Sequence, residues 1–134
     1  MSKTQQILQP AGWPAPRGYA NGVVAQGRLI FLSGQVGWDA EHVFRSDDLP
    51  EQIRQTLQNI LTILAEAGGE ARHLVRLVWY LRDKAAYQAQ SREIGRIYRD
   101  IMGRHYPAMS VVEVASFLEE RAQVEIEATA VIAD

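Results

Sequence analysis

The eight residues Leu74-Val-Arg-Leu-Val-Trp-Tyr-Leu81 decide the fold. Val75, Val78, Trp79 and Tyr80 are β-branched or aromatic, and the pair Gly68-Gly69 lies just upstream, so the stretch reads as a strand rather than a helix. Its apolar residues fall at both parities, which gives a strand that is apolar on both faces. Upstream, Ile53, Leu57, Ile60, Leu61 and Leu64 recur at helical spacing, with Asp48 as cap and Pro50 in the first turn. Downstream, Asp83 caps a second helix whose apolar side carries Tyr87, Ile94, Ile97, Tyr98 and Ile101; it stops at Gly103, ahead of Pro107.

Two strands follow. Met109 to Ala115 is the first, and Val124 to Ile132 alternates Val124, Ile126, Ala128 and Ala130 against Glu125, Glu127, Thr129 and Val131. Near the N-terminus, Val23–Ala25 and Leu29–Leu32 flank Gln26-Gly27-Arg28 and suggest a β-hairpin closed by Ser33, Gly34 and Gln35. Residues 1–17 read as a loop, rich in proline and glycine from Pro10 onward. The order strand, strand, helix, strand, helix, strand, strand is that of an α+β fold, a mixed sheet with two helices on one face. The opposite face would then expose an apolar patch larger than a monomer tolerates, so a closed homo-oligomer is expected.

At 134 residues the chain has the length of one domain, 1–134. A hydrophobic fraction of 47% with 22% charged residues is that of a globular protein that buries a core. Fourteen Lys and Arg against sixteen Asp and Glu leave a net charge of −2, which offers no general attraction for nucleic acid or an anionic membrane. The absence of cysteine excludes disulfides, thiolate zinc sites and a cysteine nucleophile. Residues 1–10 have no signal-peptide character and no stretch reaches membrane-spanning length, so cytoplasmic residence is expected.

Common catalytic motifs are missing. His42, His73 and His105 have no metal-ligand spacing and read as surface or helix-end residues. Gly34-Gln-Val-Gly37 lacks the lysine and helix start of a phosphate loop, and Gly-x-Ser-x-Gly does not occur. Four features remain: Tyr19 in the glycine-rich loop, Ser33-Gly34-Gln35 after a strand, Tyr106-Pro-Ala-Met-Ser110 before one, and Glu125 in the last strand. Each alone has a structural explanation, as packing aromatic, turn, helix stop and solvent-facing strand residue.

Taken together, these features resemble the RidA/YjgF superfamily of reactive intermediate deaminases. The resemblance runs from about Gly18 to Ile132 through Leu29-Ile-Phe-Leu-Ser-Gly-Gln35, Gln55-Thr-Leu-Gln-Asn-Ile60, Leu64-Ala-Glu-Ala-Gly68, Leu74-Val-Arg76, Leu81-Arg-Asp83, Tyr106-Pro-Ala108 and Val124-Glu-Ile-Glu-Ala128. It implies a chorismate-mutase-like α+β fold, a homotrimer with an inner barrel of sheets, and small-molecule metabolites bound in clefts between subunits. It also implies hydrolysis of enamines or imines to a carbonyl acid and ammonia, with no cofactor and no metal.

The resemblance places the loop tyrosine on Tyr19, the cleft serine and glycine on Ser33 and Gly34, and the glutamate on Glu125, with Ala108 and Val111 lining the ligand. Two positions depart from the family pattern. The asparagine of the second helix falls near Ser91, and the arginine that clamps a substrate carboxylate falls on Met109. Methionine has neither charge nor donor, and each charge-assisted bond of such a clamp is worth about 1.5–3 kcal/mol, so a substrate other than 2-aminoacrylate is expected. Met109 suits an apolar or aromatic group, and Arg17 is a candidate replacement cation. A non-catalytic metabolite-binding or chaperone-like trimer is the alternative. An endoribonuclease or translation inhibitor, as some relatives are labelled, is opposed by the charge balance.

Overall fold

The computed structural model describes residues 5–133. Nine elements are numbered in chain order: β1 (Gln5–Leu8), β2 (Gly22–Ala25), β3 (Arg28–Val36), α1 (Leu49–Ala65), β4 (Leu74–Leu81), α2 (Lys84–Ala89), α3 (Ser91–Met102), β5 (Ala108–Glu113) and β6 (Val124–Ile132). A four-stranded sheet has the order β3-β6-β4-β5, and β1 and β2 form a separate pair. β6 is antiparallel to both neighbours, whereas β5 runs parallel to β4 at the edge.

Alternation along β6 sets which face is buried. Val124, Ile126, Ala128 and Ala130 turn toward the helices together with Leu74, Leu77, Trp79 and Leu81 of β4. Against them α1 lays Ile53, Leu57, Ile60 and Leu64, all at 0% exposure. Full burial of each such side chain contributes about 1.5–3 kcal/mol. α3 adds Ile94, Ile97, Tyr98 and Met102 to the same core. The other face keeps Phe31 at 74% and Leu29 at 61% exposure on β3 and Val112 at 46% on β5. The sheet therefore has the uncovered apolar face that the sequence implies.

The expected helix caps form. Asp48 accepts a hydrogen bond from the Glu51 amide at 3.1 Å, and Asp83 accepts one from Ala86 at 3.1 Å. Several expectations need correction. The hairpin between 23–25 and 29–32 does not form: β2 pairs with β1 from Gln5↔Ala25 to Leu8↔Gly22, while β3 pairs with β6. Gly27, at φ 146° and tight against the Ile132 carbonyl, marks where the chain leaves one sheet for the other. Gln5–Leu8 is thus a strand, not loop; the part of the expected loop at residues 1–4 lies outside the described residues. The second helix is two helices, interrupted at Gln90 (φ −114°, ψ 19°), whose amide closes α2 onto the Ala86 carbonyl at 3.2 Å. β5 starts one residue before the expected Met109 and stops at Glu113 rather than Ala115.

One buried polar residue joins the first helix to the last strand. Gln52, 1% exposed, donates to the carbonyls of Ser46 and Arg121, each at 2.9 Å, and accepts from the Gln123 amide at 2.7 Å. Gly37 allows this approach, since a Cβ there would lie 2.7 Å from Cβ of Gln52. Asn59 of α1 meanwhile donates to the carbonyls of Val36 and Trp38 at 3.1 and 2.7 Å. The Gly34–Gly37 stretch is thus a strand end fastened to α1. Gln52→Leu, although more apolar, strands two carbonyls and one amide; at about 1–3 kcal/mol for each unpaired group, urea unfolding is expected to show a loss of about 3 kcal/mol. A loss below about 1 kcal/mol would contradict this role.

Candidate functional site

A polar and aromatic concavity lies on the helix side of the sheet, at its β5 edge. It encloses about 460 Å³ between one face of α3 and the strand. Ser91, Ile94, Gly95, Tyr98 and Arg99 supply the helix wall, at spacings that share a helical face. Met109 and Val111 supply the strand wall because they pair with Leu77 and Trp79, whose side chains point to the helices. Arg17, Gly18 and Tyr19 form the rim. That rim is held by the Ala20 amide on the Pro107 carbonyl at 3.0 Å and by the bridge Ala20↔Ala108. Gly18, at φ 78°, gives the turn that brings Tyr19 there.

The cavity is more aromatic than the sequence reading anticipated. Trp79, Tyr87, Tyr98 and Tyr106 all line it. Tyr98 and Tyr106 stack at 5.3 Å between centroids, and Tyr87 meets Trp79 edge-on at 6.2 Å. The Tyr98 hydroxyl donates to the His105 carbonyl at 2.6 Å, while the His105 ring bonds the Leu74 carbonyl at 2.7 Å. Burial holds the Tyr87 and Tyr98 hydroxyls above the ordinary phenol range, so both stay protonated. The indole N–H of Trp79 is buried and has no acceptor among the described residues.

Glu125 lies elsewhere. It stands opposite Tyr80 and Val36 on β6, at the parity that faces away from the helices. With Gly34, Tyr80, Leu118 and Glu127 it lines a shallower cavity of about 370 Å³. The register slips between Leu32 and Gln35, so Ser33 and Gly34 together oppose one residue of β6. At this bulge a Cβ on Gly34 would lie 2.8 Å from Cδ of Glu125 and would collide with its carboxylate oxygen. Glycine is therefore what lets the acid rest against β3. Partial burial and the neighbouring Glu127 raise the Glu125 pKa above the usual carboxylate range. Glu127 itself accepts a hydrogen bond from the Tyr80 hydroxyl.

The structure thus brings Arg17, Tyr19, Ser91, Met109 and Val111 together in one cavity, and Gly34 and Glu125 in another on the opposite sheet face. Ser33 takes part in the bulge, its carbonyl accepting from Gln35 at 3.0 Å, and Ala108 pairs with Arg76 at the start of β5. Neither Ser33 nor Ala108 is among the residues lining these two cavities. No cluster of His, Asp or Glu suited to a metal occurs among the described residues. No described helix is long and apolar enough to cross a membrane.

The sequence pattern of the endoribonuclease L-PSP family matches residues 12–132. The chain belongs to the RidA/YjgF superfamily. It is 30% identical over 131 residues to a RutC family protein of Synechocystis, covering 96% of this chain and 98% of that one. It is 31% identical over 131 residues to the 2-iminobutanoate/2-iminopropanoate deaminase of Capra hircus, covering 97% and 92%. A Rid family protein of unknown function from Yersinia pestis, YyfB, superposes with a TM-score of 0.85 at 28% identity, covering 96% and 99%. The RidA-type fold thus accounts for the α+β layering and for the ends of β3, β5 and β6 that carry the two cavities.

Sequence reading missed Trp79, Tyr87, Tyr98 and Arg99 as cavity residues and quoted Tyr106 only within the Tyr106–Ser110 motif. Tyr87 and Tyr98 carried a helical apolar period, which signals packing, and only the edge position of β5 leaves them beside open space. For Glu125 the raised pKa has a thermodynamic consequence: a carboxyl group whose folded pKa exceeds its unfolded one contributes stability at low pH that is lost as pH rises through the folded value. Glu125→Gln is therefore expected to raise the melting temperature at neutral pH and to leave it unchanged at about pH 3.5, where the carboxyl is protonated in both states. Equal effects at the two pH values would contradict the assignment.

Proposed function

We propose that this RidA-family chain is a cofactor-independent imine or enamine deaminase, acting in clefts between subunits of a cytoplasmic homotrimer on a substrate other than 2-aminoacrylate. The observation that carries the reading is the division of the site. Tyr19 and Met109 border one cavity, Glu125 and Gly34 border another, and the sheet lies between them. A single chain has both halves but no shared space. A second copy, docking its uncovered face near the β5 edge of the first, would set Glu125 of one subunit across from the cavity of its neighbour. The exposed Phe31, Leu29 and Leu118 supply apolar surface for that contact. The deaminase name of relatives at about 30% identity supports the chemistry.

In this reading Glu125 accepts a proton from water as the water oxygen bonds to the C=N carbon. The proton passes to nitrogen, giving a carbinolamine; its hydroxyl proton then moves to the same nitrogen as the C–N bond breaks, so that ammonia leaves and the carbonyl remains. Burial and Glu127 favour Glu125 as such a base, because a raised pKa brings a carboxylate closer to the operating pH. Tyr19 and the backbone beside Ser33 and Met109 hold the ligand, with Ser91, Ala108 and Val111 nearby on α3 and β5. Met109 leaves an apolar surface where a small carboxylate would otherwise be gripped.

Met109 also favours a second reading, a trimer that binds metabolites without turning them over. Ammonia release from freshly generated 2-imino acids separates the two. The hydrolase reading expects acceleration over buffer, a loss of about a hundredfold or more in Glu125→Gln, and an acid limb of kcat/KM that moves to lower pH in Glu127→Gln as the like charge is removed. Ligand binding with no acceleration would favour the non-catalytic reading.

A further inference from the structure

The helix-side cavity carries two positive charges that form no ion pair with the described residues. Arg17 on the rim and Arg99 on α3 both line it, and among the described residues neither has a hydrogen bond or an ion pair. Arg99 lies along the face of α3 that carries Gly95 one turn earlier: its Nη1 is 3.6 Å from where a Cβ of Gly95 would sit, and both residues line the cavity.

The remaining wall is aromatic. Trp79, Tyr87, Tyr98 and Tyr106 stand beside Met109, and the Tyr87 and Tyr106 hydroxyls bond no described residue. A volume of about 460 Å³ is far more than a three-carbon acid fills and falls in the range of cavities that take ring-sized ligands. Planar guanidinium groups grip carboxylates through paired N–H bonds, whereas ring faces and a thioether take up an aromatic group.

We infer that Arg99, with Arg17, is a relocated carboxylate clamp, and that the cavity selects an aromatic 2-imino or 2-oxo acid. The inference rests on the proposed deaminase reading for the identity of the reacting group, but not for the recognition itself. The clamp approaches the ligand from the helix and rim instead of from position 109. Met109 then packs on the ring. A neutral aromatic ligand would leave both charges unanswered, and a small acid would leave the ring surfaces wet.

The test uses the full chain in its assembled state, with phenylpyruvate as probe, phenylacetone as its uncharged counterpart and pyruvate as its ring-less one, titrated by calorimetry or NMR. Wild type is expected to bind phenylpyruvate at least about tenfold more tightly than either of the others, the size expected for loss of one charge-assisted bond. Arg99→Gln is expected to abolish the preference over phenylacetone while leaving phenylacetone affinity unchanged, with Arg17→Gln acting in the same direction. Arg99→Lys, which keeps the charge and loses the fork, is expected to restore part of it. Phenylpyruvate affinity unchanged in both glutamine variants, or no binding to wild type, overturns the clamp. Ammonia release from the phenylalanine-derived imine, followed in the same preparations, keeps the two claims apart. Turnover without carboxylate preference removes the clamp alone, and preference without turnover removes the hydrolase reading alone.

Discussion

Everything in this fold depends on the parity of β6. Among the described strands it is the one with an antiparallel partner on each side, so its alternation is imposed on the whole sheet. Val124, Ile126, Ala128 and Ala130 must meet the helices, because only there does α1 offer Ile53, Leu57, Ile60 and Leu64. Glu125, Glu127 and Thr129 are then committed to the other face. A slip of one residue would bury two carboxylates and expose the core, a change no packing could offset. Gln52 fixes that register at its start by binding the Gln123 amide, two residues before Glu125.

The same parity divides the chemistry. The edge strand β5 runs parallel to β4, so Met109 and Val111 share the side of Leu77 and Trp79 and open toward α3. Glu125 opens the opposite way, over the glycine of the β3 bulge. The acid and the aromatic cavity therefore belong to two faces of one sheet. In the proposed assembly, symmetry reunites them: the uncovered face that makes a lone chain apolar is the face that carries the acid. Association and catalysis would then have one cause.

Much of this was legible in the sequence because strand parity and helix period are written in side-chain type. The Val124–Ile132 alternation, the Asp48 and Asp83 caps and the apolar 74–81 run all appear as read. What escaped depends on long-range pairing. Val23–Ala25 and Leu29–Leu32 are separated by few enough residues to suggest a hairpin, yet β1 and β6 compete for those edges and win. The break at Gln90 has no glycine or proline to announce it. Among site residues, Tyr19, Ser91, Met109 and Val111 converge as a group. Arg99 gave no signal, since a cation on an exposed helix position is ordinary until its neighbours are known.

Whether two copies complete one site is decided by complementation. Glu125→Gln disables the acid half, and Gly95→Leu fills the cavity half while leaving the acid intact. Each variant assembled alone is expected to be inactive toward 2-imino acids. Co-refolded in equal amounts, with subunits mixing at random, about one quarter of the clefts receive two intact halves, so about one quarter of wild-type ammonia release should return. Mixed assemblies no more active than either parent would place both halves within a single chain and contradict the account.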